Sequence, residues 1–164
     1  MSELFGLPAH PLLVHGVVVL IPLVAFAMIL MVVVPRTRRS LVWATLLLAV
    51  VGAILTPLAA ESGEELTEGV RETSTLERHE GLGEAMTPFA IALAIGASGL
   101  AGVEMIGRRG DRGAPNGPAN HRAVLIAVSA LAIVTAGAAM AQTVFVGHSG
   151  AQATWEDSTD GAGD

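Results

Sequence analysis

The sequence predicts an all-α membrane protein, a four-transmembrane-helix up-down bundle with both termini outside. Three observations carry this. The 164 residues are 52% hydrophobic and only 15% charged, too apolar for an ordinary soluble domain. Four apolar stretches, at about 12–34, 41–60, 85–106 and 123–146, are each long enough to cross a bilayer as a helix. The cationic residues, all of them arginine, crowd into two of the connecting loops. The expected domain is residues 1–150, followed by an acidic, flexible tail over 151–164.

The first span, Leu12 to Val34, carries no charge and opens behind His10-Pro11. Proline suits the first turn of a helix, where its missing N–H would have no partner anyway. His10 should therefore sit at the helix mouth and His15 about 7 Å deeper, at about 1.5 Å per residue. Pro22 lies inside this span and should kink it unless neighbouring groups satisfy the freed carbonyl. The N-terminus has no basic segment, so the run reads as a permanent helix and not as a cleaved signal.

Pro35-Arg36-Thr37-Arg38-Arg39-Ser40 forms a short basic turn into the second span, with Trp43 at the interface and Pro57 and Glu61 at the exit. Residues 61–84 are polar and acidic, and Thr75 to Glu84 has the composition of a helix. In the third span Glu104 precedes Arg108 by four residues, an i,i+4 pair. Residues 108–120 form a Gly/Pro/Asn-rich loop, with Asn120 the expected N-cap of the fourth span. Trp155 in the tail is the expected interfacial anchor.

Orientation follows from the arginines. Seven of nine (Arg36, Arg38, Arg39, Arg108, Arg109, Arg112 and Arg122) lie in or beside the first and third loops, and only Arg71 and Arg78 lie in the second. The positive-inside rule places the first and third loops in the cytoplasm and both termini on the extracytoplasmic side of the bacterial inner membrane. Short loops make consecutive helices antiparallel neighbours. Gly96, Ser98, Gly99 and Gly102 in span three, and Ala130, Gly137, Ala138 and Ala141 in span four, would allow close backbone approach.

With this topology His10, His15, His79 and His148 converge on the outer end, joined by Glu61 and Glu64. His121 alone is cytoplasmic, facing headgroups. Sequence-distant ligands meeting at one level of a bundle is how such folds build cofactor sites. A b-type haem needs two imidazoles, and His15 with His79 or His148 is the expected pair, with His10 as third candidate. The alternative is Cu or Zn on His10, His15, His79, His148, Glu61 and Glu64. Proton or quinone handling by a half-buried histidine beside Glu61 is a further option. A cofactor-free structural or assembly subunit is the last, packing against membrane or redox partners or its own copies. Absent cysteine excludes disulfides, thiolate metal sites and c-type haem attachment. A net charge of −6 without lysine is no nucleic-acid footprint. Lacking a nucleophile–base pair or phosphate loop, the chain reads as a redox carrier or accessory subunit and not a stand-alone enzyme.

His10-Pro11, a short apolar gap, His15 and the Pro22-containing span resemble the opening of family 2231 of the domains of unknown function, small four-helix bacterial membrane proteins. Glu61-Ser62-Gly63-Glu64, His79 and Gly147-His148-Ser149-Gly150-Ala151 are similar to members from high-GC Gram-positive bacteria. The family usually has Phe-Pro after the second histidine, where this chain has Gly16-Val17, leaving more room beside His15. The resemblance spans nearly the whole chain and implies an integral membrane protein without assigning an activity. Relatives fused to cytochrome-c-like modules would point to redox work.

Overall fold

The computed structural model describes residues 3–4, 7–67, 73–110 and 118–160, and side chains within 10–65, 73–108 and 122–153. A two-residue antiparallel pair, β1 (Glu3–Leu4) and β2 (Leu7–Pro8), precedes α1 (Ala9–Val33). A 3₁₀ turn at Pro35–Thr37 leads into α2 (Arg38–Thr67). Then follow α3 (Ser74–Glu84), α4 (Met86–Gly110) and α5 (Pro118–Asp160). Four stretches are long and apolar enough to cross a membrane: His10–Val33, Pro35–Glu65, Ser74–Arg108 and Arg122–Ala153.

Local chemistry explains the joints. At the α1–α2 turn the Val34 carbonyl accepts from both the Thr37 N–H (3.0 Å) and the Thr37 hydroxyl (2.8 Å), which closes a reversal without a loop. Pro57 sits inside α2, and the preceding Thr56 donates its hydroxyl to the Gly52 carbonyl at 2.7 Å, a side-chain bond on the turn that proline weakens. Thr73 caps α3 by accepting from the Leu76 N–H at 3.3 Å. A single turn residue, Ala85, separates α3 from α4.

Two expectations change here. The α5 helix begins at Pro118, the favoured first-turn residue, so Asn120 lies inside the helix and does not cap it. At its other end α5 runs on to Asp160, through the segment expected as a tail, because 147–160 holds no proline and several helix formers. The side chains of His121 and Trp155, and those of Arg71, Arg109 and Arg112, lie outside the described residues.

The four long helices form a ring in which α1 packs on α2 and α5, and α4 packs on the same two. Large side chains of α1 (Ile21, Val24, Met28, Met31) and α4 (Leu93, Leu100) fill the interior. They meet alanines of α5, Ala132, Ala136 and Ala139. Lipid offers a leucine side chain the same apolar surroundings as a neighbouring helix, so close packing must hold such helices together. Gly96 marks the tightest approach: a Cβ there would fall 2.7 Å from Thr135 Oγ1 and 2.8 Å from Met28 Cε. Phe26, Leu47, Ile95, Val134 and Val144 are exposed on the outside, as a lipid-facing surface requires. At the end bearing the α1–α2 turn, the arginine end, Glu104 holds Arg108 at 2.9 Å, the expected i,i+4 pair, and Arg39 at 3.6 Å.

Gly96→Leu is expected to destabilise the bundle by about 1–3 kcal/mol through overpacking, read as a lower thermal midpoint in detergent. Gly137→Ala, where a Cβ meets nothing within 4 Å, should leave the midpoint unchanged or slightly raised. Equal losses at both sites would rule out close packing as the controlling factor.

Candidate functional site

The opposite end of the bundle gathers the histidines through two similar arrangements. His10 stands in the first turn of α1, and its Nδ1 lies 2.9 Å from the Ala59 carbonyl and 3.3 Å from Ser62 Oγ, both on α2. The Ser62 hydroxyl donates back to the Ala59 carbonyl at 2.8 Å. Its proton is thereby used, and Nδ1 of His10 faces two acceptors. The network assigns the proton to Nδ1.

His79 on α3 repeats this against α5. Its Nδ1 lies 3.0 Å from Ser149 Oγ, and the Ser149 hydroxyl donates to the Val146 carbonyl at 2.9 Å. The backbone of Val146 also hydrogen-bonds the ring. Here too the network assigns a proton to Nδ1, and a neutral imidazole of that tautomer keeps its lone pair on Nε2. Each serine is followed by a glycine on which the ring rests. A Cβ at Gly63 would come within 2.9 Å of His10 Cε1, and one at Gly150 within 2.9 Å of His79 Cε1. Any other residue at either position would push the imidazole away. Gln142 pins α3 in place, donating to the Leu82 carbonyl at 2.9 Å.

Both rings line one cavity of about 70 Å³, walled by Val14, Val17, Val18 and Met86. A smaller one, about 40 Å³, adjoins it on the polar side, where Glu64, Glu80 and Glu84 meet the same two histidines. Each ring has its Nδ1 engaged by oxygen, His10 by Ala59 and Ser62 and His79 by Ser149, and both rings line the shared space. An imidazole whose Nδ1–H is held by an oxygen is oriented and made a better Nε2 donor, the arrangement typical of metal-ligating histidines.

Of the residues singled out from the sequence, the structure brings His10 and His79 together, with Glu64 at the margin. It leaves His15, His148 and Glu61 apart. His15 is exposed and bonds the Pro11 carbonyl one turn back. Five residues place it about 140° around the helix from His10. His148 is exposed because its neighbour Ser149 takes the inward position on α5. Glu61 is exposed beside buried Ser62 for the same reason. Among the described residues no group of three or more His, Asp or Glu side chains is placed to hold a metal ion. Sequence reasoning passed over Ser62 and Ser149. The available signal was the Ser-Gly pair repeated near the ends of α2 and α5.

Residues 6–162 match the family described as Predicted membrane protein (DUF2231). No curated protein and no solved structure matches the chain.

Ser149→Ala should cost about 1 kcal/mol of stability by removing the acceptor of His79 Nδ1. The adjacent surface change His148→Ala should stay within about 0.5 kcal/mol. Thermal midpoints of the two variants in one detergent make the comparison. A larger loss from His148→Ala would contradict the inward placement of Ser149.

Proposed function

The chain belongs to the DUF2231 family of predicted membrane proteins, and on that footing we propose that it carries one electron at a time on a b-type haem held by His10 and His79. One observation supports this above the others: two imidazoles from different elements share a cavity, each with Nδ1–H tied to oxygen and Nε2 left as a donor. Two is the number of ligands a haem iron takes from a protein when the porphyrin supplies the rest. A bare Zn²⁺ asks for three or four.

This reading replaces the pairing of His15 with His79 or His148 by the pair His10 and His79. The apolar walls suit a macrocycle, and such a haem would supply reversible Fe(III)/Fe(II) exchange. The cavity itself, about 70 Å³, is smaller than a porphyrin. Loading therefore requires Val14, Val18 and Met86 to give way between α1 and α3. That small volume favours a second reading, a Cu(I) ion that His10 and His79 would hold and that would supply Cu(I)/Cu(II) exchange.

The distribution of arginines supports an orientation in the bacterial inner membrane with the histidine end and both termini outside. A carrier so placed would exchange electrons with partners on the extracytoplasmic side.

The test is the absorption spectrum of detergent-purified protein expressed with ample haem, oxidised and then dithionite-reduced, with copper measured on the same sample. The expected result is a Soret band with α and β bands that sharpen on reduction. These should disappear in His10→Ala and His79→Ala but persist in His15→Ala and His148→Ala. A colourless sample with stoichiometric copper would replace haem by the ion. A colourless, metal-free sample would sink both readings and leave a structural or assembly subunit. For orientation, a C-terminal alkaline phosphatase fusion should be active, as only exported phosphatase folds; an inactive fusion at normal protein levels would invert the topology.

A further inference from the structure

At the arginine end one buried charge has no carboxylate paired with it among the described residues. Arg38, the first residue of α2, is only 7% exposed. Its Nη2 donates to the Met31 carbonyl at 3.3 Å, and its Nε–H has no acceptor among the described residues. No carboxylate pairs with it among those residues, and Glu104 of α4 already serves Arg39 and Arg108. A guanidinium stays charged at any physiological pH and cannot escape burial by losing its proton. A buried cation without a paired anion is costly, so the site as the described residues build it calls for an anionic partner.

Arg38 borders an open groove of about 620 Å³ between the α1–α2 turn and α5. Beyond the guanidinium its walls are almost wholly apolar: Val32 and Pro35 on one side, Ile126, Ile133 and Val134 on the other. Ile126, Ala130, Ile133 and Val134 follow one another at i, i+4, i+7 and i+8, a single stripe of α5 running away from the turn. The stripe spans about 12 Å at about 1.5 Å per residue. Ser129 adds one hydroxyl to the wall. Arg36 and Arg39 are exposed on the same turn, Arg39 beside Glu104 of α4. The groove thus joins a charged head position at the membrane boundary to an apolar trough leading into the hydrocarbon.

We propose that this groove binds one anionic phospholipid, its phosphate on Arg38 and an acyl chain along the α5 stripe. An acyl chain alone would fill the trough and leave the guanidinium unpaired. Free phosphate would pair the charge and leave the trough empty. The phospholipid satisfies both, and the positive charge of the Arg36–Arg39 turn favours an anionic headgroup over a zwitterionic one. The inference is independent of any cofactor at the histidine end.

Native mass spectrometry of the full-length protein, delipidated in detergent and titrated with phosphatidylglycerol or phosphatidylcholine, tests it. The expected result is one retained phosphatidylglycerol at a concentration at least tenfold below that needed for phosphatidylcholine. Arg38→Gln should abolish the preference. Because removing a buried arginine could also unfold the turn, Ala130→Trp is the second variant: it fills the trough, keeps Arg38, and should reduce retention of both lipids at least tenfold with the helical circular dichroism unchanged. Equal retention of the two lipids by the unmodified protein would overturn the proposal, as would full preference in Arg38→Gln. Thermal protection by inorganic phosphate matching that by phosphatidylglycerol would overturn it in favour of an ion site. A stable dimer that Ala130→Trp dissociates would assign the groove to a second copy of the chain instead.

Discussion

Packing without a hydrophobic drive is the constraint on which this bundle rests. In water, burying Met28 or Leu93 would itself stabilise the fold. In lipid it does not, because hydrocarbon tails solvate those side chains as well as a helix does. What remains is dispersion across closely fitted surfaces, and that depends on distance. The α1 and α4 helices supply the bulk, α5 supplies a face of alanines, and Gly96 lets α4 reach Thr135 and Met28. The ring order α1, α2, α4, α5 follows from this matching of large to small.

The same solvent sets the terms for polar groups. Within the hydrocarbon a hydroxyl has only the chain to bond, and Thr56, Ser98, Thr135 and Thr143 all donate to carbonyls one turn back. Polar chemistry that is not absorbed in this way collects at the two ends. At one end, imidazoles are held by serine and carbonyl oxygens, with a glycine beneath each ring. At the other, an arginine is buried with less hydrogen bonding than its charge demands. The two ends differ in kind: the histidines are oriented through Nδ1, while Arg38 is a buried cation short of acceptors among the described residues.

The two histidine arrangements also share a logic. A helix-borne imidazole meets a serine and glycine near the end of another helix, once between α1 and α2 and once between α3 and α5. Each pairing ties down one helix end, so the residues that orient the rings also hold the bundle's mouth together. Positioning and stability are not separable there, and the inserted helix α3 is fastened by the same contacts that set the angle of His79.

The number of spans, their approximate bounds and the gathering of polar groups at the ends were legible in the sequence, because hydropathy and length act residue by residue along one chain. The Glu104–Arg108 pair was legible for the same reason, being local to one helix. Which histidines meet was not. His10 and His15 are equivalent by composition and near neighbours in the chain. Only the rotation of α1 against α2 turns His10 to Ser62 and leaves His15 outside. Likewise nothing local separates His148 from Ser149 until α5 is set against α3. The burial of Arg38, one of three arginines in a turn that reads as uniformly exposed, was equally hidden. Hydropathy is a property of the chain alone, and it sufficed for a four-helix membrane bundle. Facing is a property of pairs of helices, decided by how their surfaces interlock, and the tertiary structure alone chose the residues that look inward.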